Sequence, residues 1–156
     1  MDNQITFFVP GIPRPQGSKR AWVNPKTQKA IMVESSKDAL KDWRAKASFA
    51  AREVMKDRPM FTGPVRCTVL FYFPRPKRHY RGNNPEGEMR IDAPNNHAGT
   101  PDIEKLLRAV SDALAGIVFL DDKQVSEVHS SKSYIPQPRI NVYVPGAEIM
   151  LEVMKP

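Results

Sequence analysis

The alternation of apolar and polar positions predicts several strands along the chain. The alternation is strongest over Val65–Phe73, where β-branched and aromatic residues dominate. It is also clear over residues 5–9, after which Pro10 and Gly11 interrupt the pattern. Half-buried strands are further predicted for residues 124–134 and 139–144, and a weaker apolar stretch spans residues 149–153.

Two other segments show the 3.6-residue period of amphipathic helices. The first follows residues 35–36, whose serines can cap it, and runs to about Lys56. The second starts with Thr100 or Asp102 at its cap, and Gly116 can end it. The apolar stripes consist of Leu40, Trp43, Ala47, Ala50 and Val54 in the first helix, and of Ile103, Leu106, Leu107, Val110 and Leu114 in the second.

Strands at both ends and in the middle of the chain, with two helices between them, predict an α+β fold. We expect a single domain over residues 1–156, with one mixed β-sheet covered by two main helices. Two segments lack apolar periodicity: a basic loop at residues 10–30 and a long polar loop at residues 74–100. The length of the second segment indicates a functional loop or local disorder.

The composition is typical of a soluble globular protein. Of the 156 residues, 40% are hydrophobic and 26% are charged. No stretch approaches the roughly 20 apolar residues of a membrane span, and the first residues do not resemble a secretory signal. We therefore expect no membrane association and a cytoplasmic location. The single cysteine, Cys67, lies at a buried position of a predicted strand, which predicts an inert thiol.

The basic residues are concentrated in two segments. The formal net charge is +7, with 24 Lys and Arg against 17 Asp and Glu. No acidic residue lies between Asp2 and Glu34, and the second basic segment follows Pro74. Such segments are attracted to polyanions. Their cations are Arg14, Lys19, Arg20, Lys26 and Lys29 in the first segment, and Arg75, Lys77, Arg78 and Arg81 in the second.

The sign of the charge reverses between residues 102 and 127, which hold six acids and three bases. An acidic cluster within a basic protein suits a metal-dependent phosphodiesterase. In such an enzyme cations bind phosphates, and carboxylates bind a divalent ion at the reacting phosphate. The alternative is a solvated acidic helix face, and the charge pattern alone does not decide between the two.

Two motifs lie in this acidic region. Residues 101–114 read PDIEKLLRAVSDAL, and residues 121–125 read DDKQV. Together they closely resemble the signature of the RusA family of Holliday-junction resolvases, which is roughly P-D-x-D-N-x-x-K-x-x-x-D-A-L followed by D-D-x-Q-V. The basic residues 13–20 (PRPQGSKR), residues 73–77 (FPRPK) and His97 are also similar to the family in kind and order.

The resemblance implies that Asp102, Glu104 and Asp122 are catalytic acids that hold Mg²⁺, with Mn²⁺ as a substitute. It places Asp121 beside them and Arg108 at the position of a catalytic Lys. Three residues depart from the family pattern: Glu104 replaces Asp, Lys105 replaces Asn, and Arg108 replaces Lys. Arg108 keeps the positive charge but cannot donate a proton near neutral pH.

Asp102 and Glu104 can bind one metal ion only if the backbone brings their side chains to the same side. Side chains two residues apart diverge on a helix but share a face in extended backbone, so Asp102 and Glu104 converge only where the helix is starting. Asp122 comes from a separate segment, and three carboxylates in one pocket repel one another unless a cation neutralises them. Magnesium meets that need because it prefers hard oxygen ligands.

Each candidate also has a structural interpretation. Asp102 could be a helix cap, and Asp121 a turn residue. Glu104 and Arg108 could be an ion pair one helical turn apart, and Asp112 could orient Arg108. The histidines expected to be solvated are His79, His97 and His129. The candidate nucleic-acid contacts are Lys19, Arg20, Arg75 and Lys77.

These observations predict a Mg²⁺-dependent, structure-selective endodeoxyribonuclease that resolves four-way (Holliday) or branched DNA junctions in recombination and repair. Resolution by paired symmetric nicks needs two sites, so we expect a two-fold homodimer. The resemblance further implies a bacterial protein of phage or prophage origin. Two alternatives stay open: a cleavage-deficient junction-binding protein, and a basic interaction protein with no nuclease activity.

Overall fold

Six strands and two helices follow one another in the described part of the chain. The computed structural model describes residues 2–17, 19–34, 37–136 and 144–155, and for residues 19–22 and 30–34 it describes the backbone alone. The strands are β1 (Gln4–Pro10), β2 (Lys19–Val23), β3 (Ala30–Glu34), β4 (Val65–Phe73), β5 (Val125–Tyr134) and β6 (Gly146–Val153). The helices are α1 (Lys37–Met55) and α2 (Ile103–Leu114). Short 3₁₀ turns span Lys77–His79, Arg81–Asn83 and Asp122–Gln124.

Four strands form a mixed sheet in the order β1-β6-β4-β5. Strand β4 is parallel to β5 and antiparallel to β6, and β1 is antiparallel to β6. Along β4 the side chains alternate between buried and half-buried, because every second residue points to the face that carries the core. The predicted α+β class, with a mixed sheet and two main helices, is confirmed.

Both helices contribute to the core on the buried face of this sheet. Helix α1 buries Leu40, Trp43 and Ala47 there, as predicted, but it continues the buried stripe with Ala51 and Met55 and leaves the predicted Ala50 and Val54 partly buried. Small residues line the contact between α1 and α2, where the hydroxyl of Ser48 donates to the carbonyl of Ala113 at 2.9 Å. The buried alanines of the two helices are Ala47 and Ala51 in α1, and Ala109 and Ala113 in α2.

The basic segment predicted as a loop over residues 10–30 is partly a hairpin, so the prediction was wrong for residues 19–23 and 30. Strands β2 and β3 pair antiparallel from Lys19 with Glu34 to Val23 with Ala30. In the connecting turn, Asn24 Oδ1 accepts a hydrogen bond from the Lys26 N–H at 2.9 Å. The apolar runs of the two strands are only three or four residues long and are flanked by charges, which hid them in the sequence.

The weak apolar stretch predicted at residues 149–153 is part of β6, which lies between β1 and β4. Any Cβ on Gly146 would collide with the Phe8 ring and the Val9 carbonyl, so only glycine permits this strand start. Residues 137–143, which hold most of the strand predicted at 139–144, lie outside the described residues. The serines predicted to cap α1, Ser35 and Ser36, also lie outside them.

The other two expectations about the chain concern its thiol and its helices. Cys67 is buried in β4, and burial raises the pKa of its thiol to about 12, which agrees with an inert cysteine. Neither α1 nor α2, the helices of the described part of the chain, is long and apolar enough to cross a membrane.

Candidate active site

Helix α2 starts in the way that the acidic motif requires. The backbone at Asp102 is extended, with φ −66° and ψ 137°, and the helix begins at Ile103. This is the local geometry in which Asp102 and Glu104 can converge. Asp102 occupies the N-cap position, as predicted, and its carbonyl accepts from the Leu106 N–H, but its carboxylate accepts no capping hydrogen bond from the helix. Its side chain is 63% exposed and can therefore meet an external ligand.

Lys105, which replaces the usual Asn of the motif, pairs with the first acid. Its Nζ lies 3.4 Å from Asp102 Oδ2. The backbone of Lys105 is also occupied, because its carbonyl accepts a hydrogen bond from the Gln16 N–H at 3.0 Å. The Pro- and Gly-rich segment before β2 is thereby held against the first turn of α2.

The remaining charged side chains of α2 form no ion pair with the described residues. Glu104 and Arg108 are exposed and form no ion pair there, so the predicted Glu104–Arg108 pair is absent. Asp112 also forms no ion pair with Arg108 among the described side chains. Glu104 and Arg108 are therefore available for ligands.

The second motif divides its two acids between different tasks. Asp121 accepts a hydrogen bond from the Lys123 N–H at 3.0 Å and caps the 3₁₀ turn. This bond, followed by the charge of Lys123, lowers the pKa of Asp121. The predicted role of Asp121 as a turn residue is confirmed. Asp122 is exposed, and its side chain takes no part in the capping box.

Gln124 fixes this turn to the rest of the fold. Its Oε1 accepts hydrogen bonds from the backbone N–H groups of Leu120 and Asp121, at 2.9 and 3.2 Å. Its Nε2 donates to the carbonyls of Phe61 and Gly63, at 3.0 and 3.1 Å, just before β4. Asp122 is thus held at the end of the sheet where β4 and β5 begin.

The acids of the two motifs lie at opposite ends of α2 within one chain, with Asp102 before the helix and Asp122 after it. Lys132, near the end of β5, donates to the carbonyls of Gly99 and Pro101 at 2.6 and 2.7 Å, which places the Asp102 end beside the end of β5. Asp122 directly precedes β5, and the seven steps from Val125 to Lys132 span roughly 23 Å at about 3.3 Å each.

The described residues contain no group of three His, Cys, Asp or Glu side chains that could hold a metal ion. One chain therefore does not bring Asp122 to Asp102 and Glu104. The donor chemistry of the three residues still fits Mg²⁺, because all three offer carboxylate oxygens and Asp122 has no competing capping bond. What is missing in a single copy is their proximity.

The loop from residue 74 to residue 100 is held by Arg75. The guanidinium donates to the carbonyls of Ile135 at 2.8 Å and Pro94 at 2.7 Å, and to Asn95 Oδ1 at 3.1 Å. It also lies over the Tyr134 ring, 5.6 Å from the centroid. These bonds use most of its five N–H donors, so the structure favours a loop-anchoring role over the predicted phosphate contact.

The histidines of this loop are not solvated as predicted. His79 is buried against the edge of the Tyr134 ring, and burial followed by the charges of Arg75, Arg78 and Arg90 lowers its pKa. His97 stacks on Phe73 with ring centroids 4.5 Å apart, and burial also lowers its pKa. The sequence missed both because a loop of polar residues gives no periodic signal of burial.

His129, on β5, is exposed as predicted, although its Nε2 lies 2.6 Å from Glu127 Oε1. Glu127 also accepts a hydrogen bond from Arg66 Nε at 2.9 Å, and this bond is the main cause of its lowered pKa. These three residues form a polar ladder on the half-exposed face of the sheet. None of the sequence motifs indicated it.

The exposed cations of the long loop are Lys77 and Arg78, which form no ion pair among the described residues. Arg81 and Arg90 are instead paired with Glu88 and Asp92. The side chains of Lys19 and Arg20 lie outside the described residues, so their predicted DNA contacts stay predictions.

The fold and the two acidic motifs define a class of nuclease, and comparison with known proteins agrees. The family model described as endodeoxyribonuclease RusA matches residues 10–145, which include both motifs and both basic segments. The chain belongs to the RusA family of endodeoxyribonucleases. A relative in Bacillus subtilis (strain 168), the uncharacterized protein YqaN, is 28% identical over 144 residues, which cover 90% of this chain and 94% of that protein.

Proposed function

We propose that this protein is a Mg²⁺-dependent endodeoxyribonuclease that resolves four-way DNA junctions as a homodimer. Membership of the RusA family supports nuclease activity and binding to junction DNA. The whole chain has a formal net charge of +7, and the residues outside the acidic region 102–127 carry +10, which supports a polyanionic substrate. The metal requirement, the dimer and the paired nicks are the parts that the proposal adds.

The observation that carries the proposal is the separation of the acids along α2. Asp102 lies at one end and Asp122 beyond the other, and the 12 residues of the helix span about 18 Å. Two copies with antiparallel α2 helices about a two-fold axis would bring Asp122 of one copy towards Asp102 and Glu104 of the other. This arrangement makes two equivalent sites, which is what paired symmetric nicks require.

The residues of the chain would divide the work as follows. Asp102, Glu104 and Asp122 would hold the divalent ion, which supplies positive charge at the scissile phosphate and an activated water when bound. Arg108 would bind phosphate oxygens with its planar fork, since it cannot serve as a proton donor. Lys105 would leave Asp102 when the ion binds, and its ammonium would then be free for a neighbouring phosphate.

The DNA backbone would be bound by the free cations of the two basic segments. Lys77 is an exposed member of that set. We expect Lys77→Ala to weaken binding to all junction sequences alike and to reduce the slope of log affinity against log salt by about one. Gel-shift titrations at several salt concentrations measure this slope. An unchanged slope would remove Lys77 from the interface.

The direct test is incubation of the purified protein with a synthetic four-way junction and with a linear duplex, with and without Mg²⁺. We expect paired symmetric nicks in the junction and none without the ion. Asp122→Asn keeps the shape and removes the charge, so it should abolish cleavage and preserve junction binding. Asp112→Asn, which makes the same change on α2 outside the proposed site, is the control. Full cleavage by Asp122→Asn would contradict the assignment.

One observation favours a second candidate, a junction-binding protein that does not cleave. The ammonium of Lys105 already neutralises Asp102 at 3.4 Å. A lysine that stays on this carboxylate would compete with a divalent ion for it. Tight junction binding without nicks in Mg²⁺ or Mn²⁺ would support this candidate over the nuclease.

A further inference from the structure

We infer that the outer edge of β5, centred on Val128, is the surface through which two copies of this chain pair. The inference rests on the homodimer of the proposed function and adds the place and the register of its interface. Strand β5 is at the end of the sheet order β1-β6-β4-β5 and pairs with β4 on its inner side only.

The outer edge of β5 is covered at one end and open at the other. Residues 95–97 pair with its last residues: the His97 N–H donates to the Lys132 carbonyl at 3.1 Å, and the Tyr134 N–H donates to the Asn95 carbonyl at 2.8 Å. Among the described residues, no strand pairs with the outer edge over residues 126–130. Such an unpaired edge is a template for a further strand.

The direction of the backbone groups follows from the same bonds. The Lys132 carbonyl and the Tyr134 N–H point outwards. Backbone groups of alternate residues point to the same side of a strand, and β5 pairs regularly with β4 from Glu127 to Tyr134. Val128 and Ser130 therefore also present their N–H and C=O groups outwards, ready for a neighbouring strand.

An antiparallel pair centred on Val128 is self-complementary. Val128 would face Val128 of the second copy in a hydrogen-bonded pair, and Ser130 would face Ser126. Glu127 would face His129 of the second copy, which offers it a hydrogen-bond donor. A pair shifted by one residue and centred on Glu127 would instead set two carboxylates opposite each other, which destabilises a sheet. Charge therefore selects the Val128 register.

Exposure of apolar groups supports the same surface. Val128 is 49% exposed, although it lies in the middle of a strand. Leu120, beside the Asp121 turn at the open end of β5, is 72% exposed. Pairing would cover both regions and would join the two four-stranded sheets into one sheet of eight strands. It would also direct the start of one β5, with Asp122, towards residues 95–97, which cover the end of the other β5 and lead to Asp102.

The test uses variants at the proposed axis with matched controls. Val128→Arg sets two like charges opposite each other and should weaken dimerisation by about 100-fold or more, as sedimentation equilibrium measures against the 17.7 kDa chain mass. Val128→Thr keeps the branched shape without charge and should stay dimeric. Phe49→Arg is the second control, because Phe49 is 65% exposed on α1, away from β5.

A covalent readout covers the case in which Val128→Arg fails to fold. In a hydrogen-bonded antiparallel pair the facing Cα atoms lie about 5.5 Å apart, and the facing Cβ atoms lie wider apart than the roughly 3.5–4.5 Å of a disulfide. A short bismaleimide spans this distance, so it should join Val128→Cys into a covalent dimer. Phe49→Cys and the native chain, whose Cys67 is buried, should not.

The outcomes separate this inference from the proposed function. A native dimer that Val128→Arg leaves intact, or that Val128→Cys does not crosslink, would overturn the β5 interface, while junction cleavage by the native protein would still support the function. A native monomer, free and on junction DNA, would also overturn it. Crosslinking through Val128→Cys without any nuclease activity would support the interface and contradict the function.

Discussion

Asp102 and Asp122 lie beyond opposite ends of helix α2, and the two ends are built differently. At the start, Asp102 makes no capping bond and meets the ammonium of Lys105. At the other end, Asp121 and Gln124 are used in a capping box that leaves Asp122 exposed. At the start of α2 the ammonium of Lys105 pairs with the Asp102 carboxylate. At the other end the neighbouring Asp121 and Gln124 hold the turn that contains Asp122. Residues that are close in a motif therefore need not form one site within one chain.

The largest effect that would test this comparison is expected at Gln124. Gln124→Ala removes the acceptor of two backbone N–H groups and the donor to two carbonyls. Loss of these bonds should lower the free energy of unfolding by about 1–3 kcal/mol, measured by urea denaturation. Lys123→Ala, in the same turn but exposed, is the control and should change it by less than about 0.5 kcal/mol. Equal effects would show that the capping box does not hold this end.

A smaller effect is expected at Lys105. Lys105→Asn removes the ammonium from Asp102 without altering the carboxylate. Two unit charges at this distance in water interact by about 1 kcal/mol, so Mn²⁺ should bind about fivefold more tightly. Titration followed by electron paramagnetic resonance measures the affinity without any cleavage. Lys123→Asn is the matched control, because Lys123 pairs with Asp121 at 3.5 Å and not with Asp122. Equal Mn²⁺ affinities of Lys105→Asn and Lys123→Asn would show that Lys105 does not weaken metal binding at Asp102.

The smallest effect is expected when the pH is lowered, which should destabilise the Asp102 end of α2 before the Asp122 end. His79 and His97 hold the loop that leads to Asp102, and burial lowers the pKa of both below the usual 6.5. The fold favours the neutral form of these two histidines. The stability that this form contributes is fully present above the usual histidine pKa of 6.5 and is lost as the pH falls through the lowered pKa of each histidine. Gln124, at the other end, does not titrate. The hydrogen-exchange protection factors, which correct each rate for the intrinsic effect of pH, should therefore fall around residues 95–102 between about pH 7 and pH 5, before they fall around residues 120–125. An equal fall in both regions would contradict the assignment.

Much of the fold could be predicted from the sequence because its strongest signals are local. Strand β4 has β-branched and aromatic residues at alternating buried positions, and both its ends were predicted correctly. The hairpin β2–β3 and the full length of β6 were missed. The strands of the hairpin are short and basic, and the start of β6 depends on Gly146, whose role is visible only against Phe8 of another strand.

The sequence predicts the residues of the candidate site but not their arrangement. The resemblance of the motifs to the RusA signature predicts Asp102, Glu104 and Asp122 as the acids, and local chemistry predicted the extended backbone before α2. The sequence does not show in which direction residues 117–122 leave α2, so it did not show that Asp122 lies at the opposite end of the helix from Asp102. The roles of Arg75 and His97 depend on Tyr134, which lies far along the chain and contacts both.

The central claim is that each site takes acids from two copies, and mixing two inactive variants tests it most directly. Asp102→Asn and Asp122→Asn should each be inactive alone, because each lacks one acid in every site. A mixed dimer would contain one intact site, with Asp122 from the first variant and Asp102 from the second. After the variants are mixed and allowed to exchange subunits, we expect nicking of one strand per junction, with about a quarter of all sites intact. No activity in a mixture shown to contain mixed dimers would contradict the claim.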